Sequence, residues 1–173
     1  MHASESATRV SEDRVLADID RSLPAVYDYL LHRCRVAEVA EDLTSETVLA
    51  TVERMRSGHV DTIQVGYLIG IARHKLVDHW RRQEREQRHF KVYVRDEKVA
   101  DDEVFEPGRA ATTLADLNPM QRAALTLRYV DDLPVPEVAR VLGRTVHATE
   151  TLLVRAKRAF RSRYAHHEDR DDD

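Results

Sequence analysis

In VGYLIGIARHKLVDHWRRQEREQRHF, residues 65–90, apolar side chains return at every third or fourth position, and no long stretch of strict alternation appears elsewhere in the chain. A period near 3.6 residues commits a backbone to helices, whereas a half-buried strand needs a period of two. Glycine and proline, at five residues each, leave few of the tight turns that sheets require. The pattern predicts an all-α protein.

The same rhythm places the elements. Residues 1–12 read as a disordered leader, and a short helix is expected over 13–20. SLPAVYDYLLHRC opens a second helix, with Ser22 as its cap and Pro24 in its first turn. A third runs from Val39 to Arg56 and closes at RSGH, where Gly58 is suited to the left-handed conformation that ends helices. A fourth covers 62–94, and three more are expected over 119–130, 134–142 and 146–163. Between the fourth and the last three, DEKVADDEVFEPGRAATT breaks the periodicity with acids, Pro107 and Gly108. The expected organisation is two small helical domains, 13–98 and 114–164, joined by an acidic linker over 99–113 and followed by an acidic tail over 165–173.

Charge follows this division. The 173-residue chain has a formal net charge of −4, but residues 67–98 and 114–164 each carry nine Lys or Arg against five acids. Residues 1–46, the linker and the tail hold the compensating acids. Two cationic blocks separated by an anionic strip suggest two surfaces that meet polyanions. Either block taken by itself is more often the solvated face of a helix.

VPEVARVLGRTVHATETLLVRAKRAF, residues 135–160, has the local grammar of a helix-turn-helix. Two helices that cross closely need a small residue at the contact and a tight turn between them. Ala139 and Gly143 supply these four residues apart, with Val138, Val141 and Leu142 facing inward and Thr145 placed to cap the next helix. At 100° per residue, Leu152, Leu153, Ala156, Ala159 and Phe160 share one side of the last helix. His147, Thr151, Arg155 and Arg158 fall opposite, flanked by Glu150 and Arg161. Such a helix suits a major groove, its first turns at base edges and its arginines at phosphates.

In residues 65–90, Val65, Leu68, Ile69, Ala72, Leu76 and Trp80 line one face, and Tyr67, His74, Asp78, Arg81 and Arg85 the other. An aromatic above a ladder of arginines is the arrangement that stacks an unpaired base and holds the strand's phosphates. Taken alone, a tyrosine on a charged helix is more often an ordinary surface residue.

AEDLTSETVL, YLIGIARHKLVDHWRR and LNPMQRAALTLRYVDDLPVPEVARVLGRTVHATETLLVRAKRAF together resemble regions 2 and 4 of bacterial RNA polymerase sigma factors, in that order and with a short linker. Nothing in the chain resembles the intervening region 3, which points to the extracytoplasmic-function group. The resemblance covers residues 20–98 and 112–164. It implies a core-polymerase-binding helix in which Asp42, Ser45, Glu46 and Leu49 share an outward face toward the β′ clamp helices, with Leu43 and Thr47 turned inward. It implies that Tyr67, His74, Asp78, Arg81, Arg82 and Arg85 act at the −10 element as the DNA melts. Tyr67 stands where the family commonly has Trp, and His74 where it commonly has Asn. The last helix would read the −35 element as duplex through His147, Glu150, Thr151, Arg155 and Arg158. There Glu150 replaces a typical Lys, Leu152 a typical Arg and Thr149 an aliphatic residue, which implies an altered −35 preference. The family's further partners, also implied, are the polymerase β flap, promoter DNA and an anti-sigma factor. The acids of the linker, Asp101, Asp102, Glu103 and Glu106, would imitate RNA in the polymerase exit path, or else merely keep the tether extended.

Enzymatic chemistry finds no foothold. P-loop, GxSxG, HExxH, CxxC and GxGxxG patterns are all missing, and the nine histidines lack the spacing of a zinc shell, so neither metal nor cofactor is expected. The single cysteine, Cys34, excludes an internal disulfide. MHASESATRV is no signal peptide, and no apolar run nears the ~18–20 residues of a membrane span, so the chain is expected to be cytoplasmic, with no membrane insertion. A stand-alone helix-turn-helix regulator with a helical N-terminal interaction domain is the principal alternative. A module that only sequesters another regulator is a third.

Overall fold

The computed structural model describes the backbone of residues 2–57, 63–90 and 108–171. Helices account for nearly all of it, and no strand occurs among the described residues. The elements are α1 (His2–Cys34), α2 (Ala37–Arg56), α3 (Val65–Phe90), α4 (Arg109–Ala115), α5 (Pro119–Leu125), α6 (Val135–Val141) and α7 (Val146–Asp171). A π-helical segment, Thr126–Val130, continues α5. The chain forms two compact units, Met1–Leu76 and Val77–Asp173.

In the first unit α1 packs on α2. α1 is one helix, not the two that the sequence suggested, and it begins inside the stretch expected to be an irregular leader. Ser22 is no cap: its hydroxyl donates to the Asp18 carbonyl at 2.8 Å, the bond of a residue already inside a helix. Pro24 sits within α1 as well. Val15, Ile19, Val26 and Leu30 recur at intervals of four and seven along its buried face, and that continuous stripe carries the helix through the proline.

α2 is built on Ala40, Leu43, Thr47 and Thr51, all fully buried. A buried hydroxyl is costly unless bonded. Here Thr47 Oγ1 donates to the Leu43 carbonyl at 2.7 Å and Thr51 Oγ1 to that of Thr47 at 2.8 Å. Glu38 in the first turn and Arg54 and Arg56 in the last complement the helix dipole. Ser57 follows as the C-cap, its amide bonded to the Glu53 carbonyl. Gly58, the expected stop signal, lies outside the described residues.

In the second unit α4, α5 and α6 each pack against α7. Asn118 caps α5, its Oδ1 accepting from the Met120 amide at 3.0 Å, with Pro119 in the first turn. α4 was not anticipated, and it begins within the stretch read as linker. Its Thr113 is buried, with the hydroxyl donating to the Arg109 carbonyl. Arg122 of α5 in turn donates to the carbonyls of Leu114 and Ala115 at the end of α4. The expected helix over 119–130 is divided: after Leu125 the bonds lengthen to the i→i−5 pattern, ending with the Asp131 amide on the Thr126 carbonyl at 2.9 Å. α7 runs through Asp171, past the expected end at 163 and into the stretch taken as tail. The linker acids Asp101, Asp102, Glu103 and Glu106 lie outside the described residues.

Candidate nucleic-acid interface

The end of α6 and the start of α7 are made by local hydrogen bonds that the sequence can be seen to call for. Gly143 adopts a left-handed φ of 56°. Its amide donates to the Arg140 carbonyl at 3.2 Å, and the Arg144 amide reaches the Ala139 carbonyl at 2.9 Å. That pair of bonds is a Schellman closure, which satisfies carbonyls that would otherwise be orphaned at the helix end. Two residues on, Thr145 Oγ1 accepts from the Ala148 amide at 3.2 Å and so caps α7. Ala139, Val138, Val141 and Leu142 are buried, as a close α6–α7 contact requires.

α7 then sorts its side chains by face. Leu153 and Ala156 are buried, Leu152, Ala159 and Phe160 half-buried. His147, Glu150, Thr151, Arg155 and Arg158 are all exposed on the other side, as their spacing predicts. Thr149 is fully buried, and its hydroxyl donates to the Thr145 carbonyl at 2.9 Å, so a polar residue fills a core position. Thr151 likewise turns its hydroxyl proton back to the His147 carbonyl at 3.1 Å. Val146 and Val154 were missed by sequence reasoning. They lie on the exposed face, 44% and 60% accessible. Their positions four residues before and after Glu150 were the available signal.

α3 displays the second set of residues. Leu68, Ala72, Leu76 and Trp80 are buried, together with Ile71 and Val77, which the helical-wheel reading left out. Val65, placed on the inward face from sequence, is 46% exposed, because it is the first residue of the helix. His74, Asp78, Arg82 and Arg85 are exposed, and Tyr67 is half-buried. Arg54 of α2 lies within 3.5 Å of the Tyr67 hydroxyl. Arg81 is held by two partners. Its Nη1 pairs with Asp78, and its Nη2 donates to the Val141 carbonyl at 3.3 Å, beside Gly143. Arg81 therefore has two anionic or carbonyl partners to exchange before it can hold a phosphate.

The third set lies on α2. Asp42, Ser45 and Leu49 are exposed, Leu49 at 64%, while Leu43 and Thr47 point into the core. Glu46 shares their side but is half-buried, and its carboxylate pairs with Lys75 of α3 at 3.3 Å. Among the described residues, no group of three or more His, Cys, Asp or Glu side chains is placed to hold a metal ion. No helix among them is long and apolar enough to cross a membrane.

Comparison with known proteins agrees with this anatomy. The family model described as Sigma-70 region 2 matches residues 19–86, and that of Sigma-70, region 4 matches residues 108–160. The chain is 33% identical over 154 residues to the ECF RNA polymerase sigma factor BldN of Streptomyces coelicolor, covering 82% of this chain and 56% of that relative. It thus spans little more than half of the curated relative's length. Among solved structures, the sigma factor RpoE in complex with the anti-sigma factor NepR from Bartonella quintana shares the fold. That match has a TM-score of 0.56 at 19% identity, over 84% of this chain and 93% of that one. The RsbN–BldN complex aligns at 26% identity over 91% of this chain and 96% of that one, with a TM-score of 0.36.

Proposed function

The chain belongs to the sigma-70 family, in its extracytoplasmic-function group, and from that premise we propose that it binds core RNA polymerase and directs transcription initiation by recognising the −35 and −10 promoter elements. The observation that carries the reading is the capped helix-turn-helix, whose second helix exposes His147, Glu150, Thr151, Arg155 and Arg158 while burying Leu153 and Ala156. In this reading α7 enters the major groove at −35, its early side chains at base edges and its arginines on phosphates. Glu150 accepts from a cytosine amino group, a contact that discriminates by about 1–3 kcal/mol when well formed.

At −10, Tyr67 stacks a base freed from the opening duplex, His74 and Asp78 lie beside it, and Arg81, Arg82 and Arg85 hold the backbone. Unstacking a base costs a few kcal/mol, which a stacking and hydrogen-bonding surface offsets. Asp42, Ser45, Glu46 and Leu49 dock on the β′ clamp helices, and the second unit meets the β flap. An anti-sigma factor is a further proposed partner, since the Bartonella RpoE was captured with one. No catalytic role is assigned to the chain.

Transcription with purified chain and core polymerase on a pool of genomic promoters tests the proposal. Start sites that appear only when both components are present support it. Nanomolar, sequence-specific duplex binding by the chain alone, with no effect on start sites, would instead identify a stand-alone regulator. On a −35 library, Glu150→Gln should relax selection at one position, and an unchanged preference removes Glu150 from base readout.

A further inference from the structure

Apart from His147, the exposed side of the first two turns of α7 offers few hydrogen-bond donors. Thr149 is buried, and Thr151 commits its hydroxyl proton to the His147 carbonyl. What remains on the line through Glu150 is apolar: Val146 one turn before it and Val154 one turn after. No ion pair of Glu150 occurs among the described residues, so the carboxylate faces outward without a cation. A single exposed valine is ordinary. Two that bracket an unpaired carboxylate, on a capped helix whose next turns carry Arg155, Lys157, Arg158 and Arg161, form a surface of defined chemistry. It offers methyl groups and an acceptor where base readers more often present donors, and cations that place it against a polyanion.

Only certain base edges match. In the major groove thymine presents its C5 methyl and cytosine its N4 amino donor. Apolar side chains seek the first and a carboxylate the second. Val146 and Glu150 lie four residues apart on one face, a rise of about 6 Å. Base pairs stack about 3.4 Å apart, so the two side chains address bases within one or two steps of each other. We propose that Val146 reads the C5 methyl of a thymine one or two steps from the cytosine read by Glu150, so that the −35 element contains a thymine–cytosine pair of contacts at that spacing. This rests on the reading of α7 as the −35 helix and adds to it a specificity-determining residue. Val154 extends the apolar line to where the arginines take over.

The full chain assembled with core polymerase is the material for the test. A duplex library selects the preferred −35 element, and the selected probe is remade with deoxyuridine in place of each thymine in turn. That exchange deletes a methyl group and leaves every hydrogen-bonding atom in place. At one thymine near the Glu150-dependent cytosine, wild type should bind about fourfold more weakly to the uracil probe, the effect of one buried methyl group. Val146→Ala should bind thymine and uracil probes equally at that position while still discriminating the cytosine. Because Val146 is exposed, its truncation leaves the core intact, and a thermal melt of the variant verifies this. Selection of an element lacking such a thymine, or equal thymine preference in wild type and Val146→Ala, overturns the inference but leaves promoter recognition standing. Failure of the holoenzyme to select any −35 element overturns both.

Discussion

Gly143 shows how much one residue carries. Its φ of 56° lies in the region where a Cβ meets the following carbonyl, and both bonds of the Schellman closure pass through this turn. Gly143→Ala should therefore destabilise the second unit by about 1–2 kcal/mol, measured by denaturant unfolding. Gly143→Asn should cost less, because asparagine tolerates the left-handed region. The nearest atom to an added Cβ is the flexible end of Arg81 at 3.4 Å, an ordinary contact, so backbone strain alone sets the effect. Equal stability of the alanine variant and wild type would contradict it. Residues of this kind were legible in the sequence, because a glycine closing a helix and a threonine opening the next act through bonds spanning a few positions. Ser22 was misread for the converse reason. A serine before a proline looks like a cap, but whether its hydroxyl serves the helix ahead or the carbonyl of Asp18 behind depends on whether the helix has already begun. Val65 fitted the apolar face by angle alone, yet a first-turn residue has no preceding turn to cover it.

At the scale of the element, the proposed role of α2 assigns stability and binding to different faces of one helix. Leu43 is wholly buried and Leu49 is mostly exposed, although six residues separate them. Leu43→Ala should lower stability by about 2–5 kcal/mol through the cavity it leaves. Leu49→Ala should change stability by no more than about 0.5 kcal/mol. If α2 is the polymerase-binding helix, the same Leu49 variant should weaken association with core polymerase by about tenfold, the loss expected for an apolar contact that matters in an interface. Paired unfolding and binding titrations would show the two effects dissociate; a Leu49 variant that binds core polymerase normally removes this residue from the interface. α2 and α7 could be drawn from sequence because their buried positions repeat over several turns. α4 could not, since Arg109–Ala115 is only seven residues long and takes its place from packing against α7 and from Arg122. The π-helical stretch after Leu125 was equally hidden: one added residue per turn barely disturbs a period read from five side chains.

At the scale of the molecule, the proposed approach of a chain of net charge −4 to DNA depends on its cations being concentrated in residues 67–98 and 114–164. The sequence displayed that concentration, but it did not reveal that the compact units would divide at Leu76 and Val77, inside α3, because the division follows tertiary contacts and not composition. Two kinds of DNA contact are proposed for these segments, and salt distinguishes them. Arginines that neutralise phosphates release counterions, so each contributes about 0.9 to the slope of log affinity against log salt. Replacing Arg155 and Arg158 together by alanine should reduce that slope by about 2 for holoenzyme on promoter duplex, with little change in which sequence is preferred. Tyr67 carries no charge and acts by stacking. Tyr67→Ala should leave the slope on duplex unchanged and weaken capture of a probe already opened at −10 by about 1–3 kcal/mol. The two variants thus exchange signatures: one flattens the salt response on closed DNA, the other loses affinity on opened DNA at every salt concentration. An unaltered slope in the double arginine variant would place α7 away from the phosphates. A flattened slope in the Tyr67 variant would mean that Tyr67 holds the backbone-binding helix in place and does not itself stack the base.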